Sequence, residues 1–435
     1  MVIAAAPRLS TPAPAPAPAS SGHAGHRDTG IDVVRALCVL GVVLLHAVMV
    51  GVTVSETGPV FENASDGTSW IAPLSWLLQV MPLFFVIGGF SGLLAYRRLR
   101  ARGGSATAFV AGRVHRLLRP ALFTVGAVGV ALAVLTVLGV APDLIAVAGF
   151  RYGQPLWFLG VFLLCQALLP ALVALHERAP LRTITVLATA AVAVDVLRAV
   201  TGTDAVGFLN LAFVWLTMQQ LGFLLADGRV DALRRRTRVT IGIGALGVLV
   251  VLFLIGAYSP DLIANINPPT CALLLVGLIH TILFSLYRPH IGRLSLRRPV
   301  AAFTAFVTRR TMTIYLWHMP VLLAMAGATA LVALLGGFTL PTLDSAEWWA
   351  ARPLWLLTAV VLTALVAVRV DRFENHPSPQ ATSSRRRLAV GTVLGLAGVV
   401  LLLVLGTTVS TAALAVLLLV AALRLAGHTG RPVLA

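Results

Sequence analysis

The chain contains 435 residues, of which 58% are hydrophobic and only 11% are charged, so it carries more apolar surface than one water-soluble core could bury. Its formal net charge of +17 would suggest a nucleic-acid partner in a soluble protein, but the basic residues cluster between apolar spans rather than on one helix face. The composition therefore excludes a soluble nucleic-acid-binding protein and predicts a polytopic membrane protein.

The chain begins with residues 1–30, which alternate proline with alanine and lack the continuous apolar core of a secretory signal. We interpret this stretch as a disordered tail with partial polyproline II character. Beyond it, twelve apolar spans are long enough to cross a bilayer as helices. They lie at about 31–52, 72–95, 120–140, 156–175, 181–200, 208–226, 239–258, 269–287, 311–336, 353–370, 388–405 and 408–426.

The distribution of basic residues tests this count, because a miscounted span would reverse the side of every later loop. With the N-terminus in the cytoplasm, all 33 basic residues except Arg151, Arg198 and Arg352 lie on the inner side or at inner helix ends. Loops on the outer side, such as 53–69 and 258–268, contain no basic residue. The sequence therefore predicts an all-α transmembrane bundle in the cell membrane with both termini cytoplasmic.

Ionisable side chains within the first span form a candidate site. Arg35 lies at the inner end, and His46, eleven residues later, is about 16 Å farther along the helix. Eleven residues are close to three turns, so both side chains share a face, with His46 in the outer half and Asp32 placed to pair with Arg35. Such groups usually face a cavity or a partner because burying them in a membrane is costly. The alternative is a histidine that only hydrogen-bonds a neighbouring helix.

A second candidate site precedes the third span, where Arg113, Arg116 and Arg119 recur at helical spacing. Three guanidiniums at the inner surface can bind phosphate groups, because arginine holds phosphate oxygens in a bidentate fork. The alternative is a topology anchor that contacts anionic lipid heads. Arg234 to Arg236 lack this spacing, and for them the anchor is the favoured interpretation.

Farther along the chain, Trp157 begins the fourth span, where an aromatic residue of the outer membrane interface is expected. Asp195, in the outer half of the fifth span, has a suitable depth to orient the imidazole of His46. Pairing with Arg198 at i+3 is the simpler explanation for Asp195. The three cysteines, in separate apolar segments, have no metal-ligand spacing and are interpreted as small apolar residues, so no metal site is expected.

Two further stretches combine small or polar residues with apolar sequence. Gly88 and Gly89 in the second span allow a close approach between helices. Tyr315 and His318 place two polar groups in the inner part of the ninth span, where they could equally form a packed hydrogen bond.

In this order, the motifs resemble those of the acyltransferase-3 group of integral membrane acyltransferases. "IDVVRALCVLGVVLLH" resembles the first-helix pattern of that group, "FFVIGGF" its second-helix motif and "RVHR" its cytoplasmic Arg-x-x-Arg, and "LWFL" and "YLWHMP" match farther along. The resemblance covers about residues 30–370. Gly88 and Thr311 stand where the group usually has serine, which puts any role for those hydroxyls in doubt.

The resemblance implies a ten-helix catalytic domain over residues 31–370, with acyl-coenzyme A or a similar thioester as donor and no tightly bound cofactor. It implies that His46 is catalytic and that Arg113 and Arg116 lie near the donor. A basic linker at 371–387 and a transmembrane hairpin with a short tail at 388–435 follow as additions to that domain.

The residues themselves fit this expectation. A donor held at the inner face by Arg35, Arg113 and Arg116 could extend its arm towards His46, whose ordinary pKa suits removal of a hydroxyl proton. A transient acyl-histidine is the alternative mechanism. The expected acceptor is a hydroxyl of a cell-envelope carbohydrate or of a small glycosylated metabolite, and the alternative function is a 12-span transporter or exporter.

Overall fold

The computed structural model describes residues 28–56, 58–375 and 379–427. Most of the expected N-terminal tail (1–27) and the end of the C-terminal tail (428–435) lie outside these residues. The first half contains α1 (Thr29–Met49), β1 (Val50–Ser55), β2 (Gly58–Asn63), α2 (Ile71–Leu78), α3 (Met81–Ala101), α4 (Ala106–Val137), α5 (Pro142–Gly153), α6 (Trp157–Arg178), α7 (Pro180–Thr201), α8 (Asp204–Gly207) and α9 (Asn210–Ala226). The second half contains α10 (Arg235–Leu254), α11 (Ala272–Ser295), α12 (Arg298–Arg309), α13 (Thr311–Gly336), α14 (Ala346–Val370), α15 (Arg372–Asn375), α16 (Arg385–Val404) and α17 (Val409–Ala426).

The predicted polytopic helical bundle is confirmed. Within the described ranges, 12 helical segments are long and apolar enough to cross a membrane. Three of these segments combine two helices each, namely α2 with α3, α5 with α6 and α8 with α9.

The bundle has two chemically different ends. At the end where α1 begins, Arg288 pairs with Asp28 at 2.7 Å, and Arg97 pairs with Asp227. We call this the basic end. At the opposite end, β1 and β2 form an antiparallel hairpin in which Val50 faces Asn63, and we call this the hairpin end.

Several boundaries differ from those predicted by hydropathy. α4 begins at Ala106 rather than near residue 120, because hydropathy detects only the apolar part of a helix that continues beyond it. The second span is divided at Gln79–Val80 because Pro82 has no N–H to donate to the carbonyl four residues before it. The expected outer loop after the first span contains the β1–β2 hairpin.

Close helix contact fixes the centre of the bundle. A Cβ atom on Gly89 would lie 2.3 Å from the carbonyl oxygen of Gln219 in α9, so α3 and α9 can approach this closely only with glycine there. A Cβ atom on Gly88 would meet only the ring of Phe162, at 3.1 Å. The expected close approach is therefore confirmed at Gly89.

The last two spans are part of the bundle rather than a separate unit. α16 and α17 pack against each other, α17 packs along α4, and α16 packs against α6. The C-terminal hairpin thus supports the helix that carries Arg113 and Arg116.

Candidate active site

A half-open cavity of about 420 Å³ lies at the basic end, between α1, α3, α4, α6, α12, α13 and the short helix α15. Four of the predicted site residues line it: Asp32, Arg35, Arg113 and Arg116. Arg119 is not among the lining residues. At about 100° per residue, six residues turn a side chain about 120° away from that of Arg113, so one helix face cannot present all three arginines equally.

Arg35 is held by two neighbours within this cavity. Its Nη1 donates to Asp32 Oδ1 at 3.1 Å, which confirms the predicted pairing, and its Nη2 donates to the hydroxyl of Ser91 at 2.5 Å. Its side chain is 20% exposed, so part of the guanidinium still faces the cavity. Asp32 of α1 and Ser91 of α3 therefore fix the orientation of the Arg35 side chain.

Arg113 and Arg116 occupy different environments although they are one turn apart. Arg113 is half-buried, with its Cζ 4.8 Å from the ring centroid of Phe109, whereas Arg116 is exposed. The ring holds the Arg113 guanidinium in place by a cation–π contact. A negative group in this cavity would be held more firmly by Arg113, because water screens that charge less.

Sequence reasoning did not identify Glu374, a buried carboxylate that lines the same cavity. It accepts hydrogen bonds from the backbone N–H groups of Met312 and Thr313 and from the Thr313 hydroxyl, at 3.2, 2.9 and 2.7 Å. Burial raises the pKa of Glu374, although these hydrogen bonds and the charge of Arg116 oppose the shift. The only sequence signal that could have revealed Glu374 is its acidic side chain in a linker that was predicted to be basic.

A narrow apolar extension continues from the cavity towards the middle of the bundle. Phe84, Thr311 and Met312 line both the cavity and a small void of about 20 Å³, whose other walls include Val42 and Tyr315. Gly88 and Thr311, the two positions that differ from the usual serine, both line the cavity. The hydroxyl of Thr311 donates to the carbonyl of Val307.

His46 and His318 lie side by side, with ring centroids 4.9 Å apart, and they follow Val42 and Tyr315, which line the small void, by four and three residues. Nδ1 of His46 is 2.9 Å from the Val42 carbonyl, and Nδ1 of His318 is 2.5 Å from the Tyr315 carbonyl. Because a carbonyl can only accept, each Nδ1 carries the hydrogen and each Nε2 carries a lone pair. The Tyr315 hydroxyl donates to the Pro155 carbonyl.

The predicted depth difference between His46 and His318 is therefore wrong. α13 begins inside the protein, because Glu374 rather than water satisfies the N–H groups of its first turn. His318, only seven residues after the first residue of α13, can therefore lie at the same depth in the bundle as His46. Nε2 of His318 is buried and has no hydrogen-bond partner within the described part of the chain.

Asp195 is engaged elsewhere. Its carboxylate accepts from the Tyr258 hydroxyl at 2.6 Å, the Cys271 N–H at 2.7 Å and the Asn210 amide at 2.8 Å. Burial and, next, the hydrogen bond to Asp195 raise the pKa of Tyr258, which keeps this donor protonated. α7, which carries Asp195, is not among the elements that pack against α1, which carries His46, so an orienting role of Asp195 towards His46 has no geometric support. The simpler explanation fails as well, since Arg198 pairs with Asp204.

Trp157, half-buried at the start of α6, packs against other aromatic side chains. Its ring stacks on that of the buried Trp215, with centroids 5.5 Å apart, and meets the edge of Phe158. It belongs to the aromatic cluster behind the apolar extension, where Phe158 also contacts the ring of Tyr315.

Comparison with protein families accounts for this arrangement. The sequence model named Acyl_transf_3, described as an acyltransferase domain, matches residues 28–371. The chain belongs to the acyltransferase-3 family. No match was found among curated proteins or among solved structures.

The family match spans every element that lines the cavity and the extension except α15, which begins one residue after the match ends. The protein is therefore a multi-pass membrane acyltransferase, as the order of its motifs predicted. Family membership by itself assigns neither the donor nor the acceptor.

Proposed function

We propose that this acyltransferase moves an acyl group from acyl-coenzyme A, or a similar thioester, to a hydroxyl of a cell-envelope carbohydrate or a small glycosylated metabolite. The observation that carries the proposal is the order of three features along the bundle: the arginine cavity, the small apolar void and the pair of histidines. The cavity offers cations, the histidines offer imidazole lone pairs, and the void is lined mainly by apolar side chains.

The donor binds through its phosphates at the basic end. Arg113, Arg116 and the exposed part of Arg35 supply guanidinium donors for phosphate oxygens. Arg35 and His46 are about 16 Å apart along α1, a distance that an extended thioester arm can span. The donor is a substrate that dissociates after each turnover, so no tightly bound cofactor is required.

His46 acts as the general base. Its Nε2 takes the proton of the acceptor hydroxyl while the hydroxyl oxygen attacks the thioester carbonyl carbon. The C–S bond then breaks, the acyl group remains on the acceptor oxygen, and the thiolate takes the proton back from the imidazolium. Nε2 of His318 offers a second acceptor that can orient the hydroxyl.

The direction of transfer follows from the charge distribution. The basic end faces the cytoplasm, where acyl thioesters are made, in keeping with the excess of arginine at that end. In this proposal the acceptor approaches His46 from the hairpin end, and the enzyme lies in the cell membrane with both termini inside.

The test uses purified protein in proteoliposomes with a radiolabelled acetyl thioester donor. We expect loss of the thioester and transfer of label to envelope glycans or secreted glycosides, identified by comparing intact masses from cells with and without the protein. Uptake of a solute without any covalent change would instead support the transporter alternative.

A further inference from the structure

A buried arginine at the hairpin end is not explained by the transfer reaction. Arg352, in the second turn of α14, is 6% exposed. Its Nη1 donates to the Val50 carbonyl at 3.2 Å, and its Cζ lies 3.8 Å from the ring centroid of Trp348. The guanidinium thus lies over an indole ring and is held at the C-terminal end of α1.

The charge of Arg352 has no counter-charge among the residues that the structure describes. No carboxylate pairs with it there, and its Nε has no acceptor, whereas Arg198 pairs with Asp204. The indole Nε1 of Trp348 is also buried without an acceptor. Burying an unpaired charge is expensive, so two neighbouring unsatisfied donors indicate a site for a negative group.

The surroundings of Arg352 define the rest of the ligand. An apolar groove of about 500 Å³ runs between α13 and α14, with walls that include Met325, Leu354 and Leu362. Val52 of β1 closes it at the hairpin end. Leu354 is 70% exposed, so the groove opens on the side of α14 that faces outwards from the bundle.

A phosphate group matches the polar part, because its oxygens can accept from the edge of a guanidinium and from an indole N–H together. Arg352 is about 9 Å along α14 from its first residue, in the part of that helix nearest the hairpin end. An apolar chain matches the groove. We propose that Arg352 and Trp348 bind the phosphate of a membrane lipid whose chain lies between α13 and α14.

This site is separate from the donor cavity. Val50, which Arg352 contacts, is fifteen residues from Arg35 along the chain, a rise of about 22 Å in a helix. The proposal therefore does not depend on the proposed function, and binding can be measured without transfer activity.

The test compares binding of dioleoyl phosphatidic acid and dioleoylglycerol, which differ only in the phosphate, to the purified full-length protein in neutral detergent by native mass spectrometry. We expect the parent protein to retain phosphatidic acid and to bind dioleoylglycerol at least about ten-fold more weakly. Inorganic phosphate at the same concentration should not displace the lipid. Equal binding of both lipids, or displacement by phosphate, would overturn the proposal.

Variants locate the site. Arg352→Gln should weaken phosphatidic acid binding by about ten-fold or more, and Arg352→Lys should restore part of it. Arg151→Gln, which also removes an arginine outside the basic end, is the matched control and should bind as the parent does. Ala351→Trp fills the exposed groove but keeps Arg352, so binding should fall while the melting temperature is retained. Unchanged binding in Ala351→Trp would refute the groove even if Arg352→Gln failed to fold.

Discussion

Three arginines on one helix provide an internally controlled test of donor binding. We consider Arg113→Gln, Arg116→Gln and Arg119→Gln, each of which removes one charge from α4 and keeps a polar side chain of similar length. Arg113 and Arg116 line the cavity, and Arg119 does not. Only the first two changes should therefore affect the donor.

The expected magnitudes follow from exposure. A hydrogen bond to a charged group contributes about 1.5–3 kcal/mol, or roughly ten- to a hundred-fold in affinity, and this range applies to the half-buried Arg113. Arg116 is exposed and more strongly screened, so its loss should cost less than about ten-fold. Arg119→Gln should remain within about two-fold of the parent.

The assay is isothermal titration of coenzyme A into each purified variant, with the melting temperature measured on the same sample. The expected order of affinity loss is Arg113 first, Arg116 second and Arg119 last. Three equal losses would show a diffuse electrostatic effect, and three unchanged affinities would show that these arginines only anchor the helix in the membrane. Either result would refute the assignment of the cavity to the donor.

Two further predictions concern stability. Gly89→Ala should lower the melting temperature by several degrees, because its Cβ would overlap the Gln219 carbonyl oxygen and overpacking costs about 1–3 kcal/mol. Gly88→Ala should change the melting temperature less. Equal shifts in the two variants would contradict the close contact at Gly89. Because burial raises the pKa of Glu374 above 4.5, the folded state binds this proton more tightly than the unfolded chain does. Stability should therefore fall as the pH rises from 4.5 through the raised pKa, and melting curves of Glu374→Gln should lose this slope; an unchanged slope would contradict it.

Much of the fold could be predicted because its signals are local. Apolar length identifies a membrane span, and the eleven-residue interval between Arg35 and His46 fixes a shared helix face whatever surrounds it. The pairing of Asp32 with Arg35 follows from the same periodicity. Each of these predictions depends on the sequence of a single helix and not on its neighbours.

The remaining features depend on how helices meet, which a local pattern does not encode. His318 reaches His46 because Glu374 caps α13 inside the protein, and nothing within α13 shows where that helix begins in depth. Asp195 has a suitable depth for His46, yet its helix packs mainly against α9, α8 and α6. Distance along one helix could be predicted, but neither the depth at which each helix begins nor the adjacency between helices could.

The central claim is that the imidazole of His46 serves chemistry rather than packing. Transfer rate and melting temperature should be measured together on His46→Ala and on His176→Ala, since His176 is buried and bonded to Gln220 and Asp227. We expect His46→Ala to lose about 10²–10⁴-fold in transfer rate at an unchanged melting temperature. His176→Ala should instead melt earlier, with its folded fraction still active. A His46→Ala protein that remains stable and transfers acyl groups at the parent rate would contradict the account.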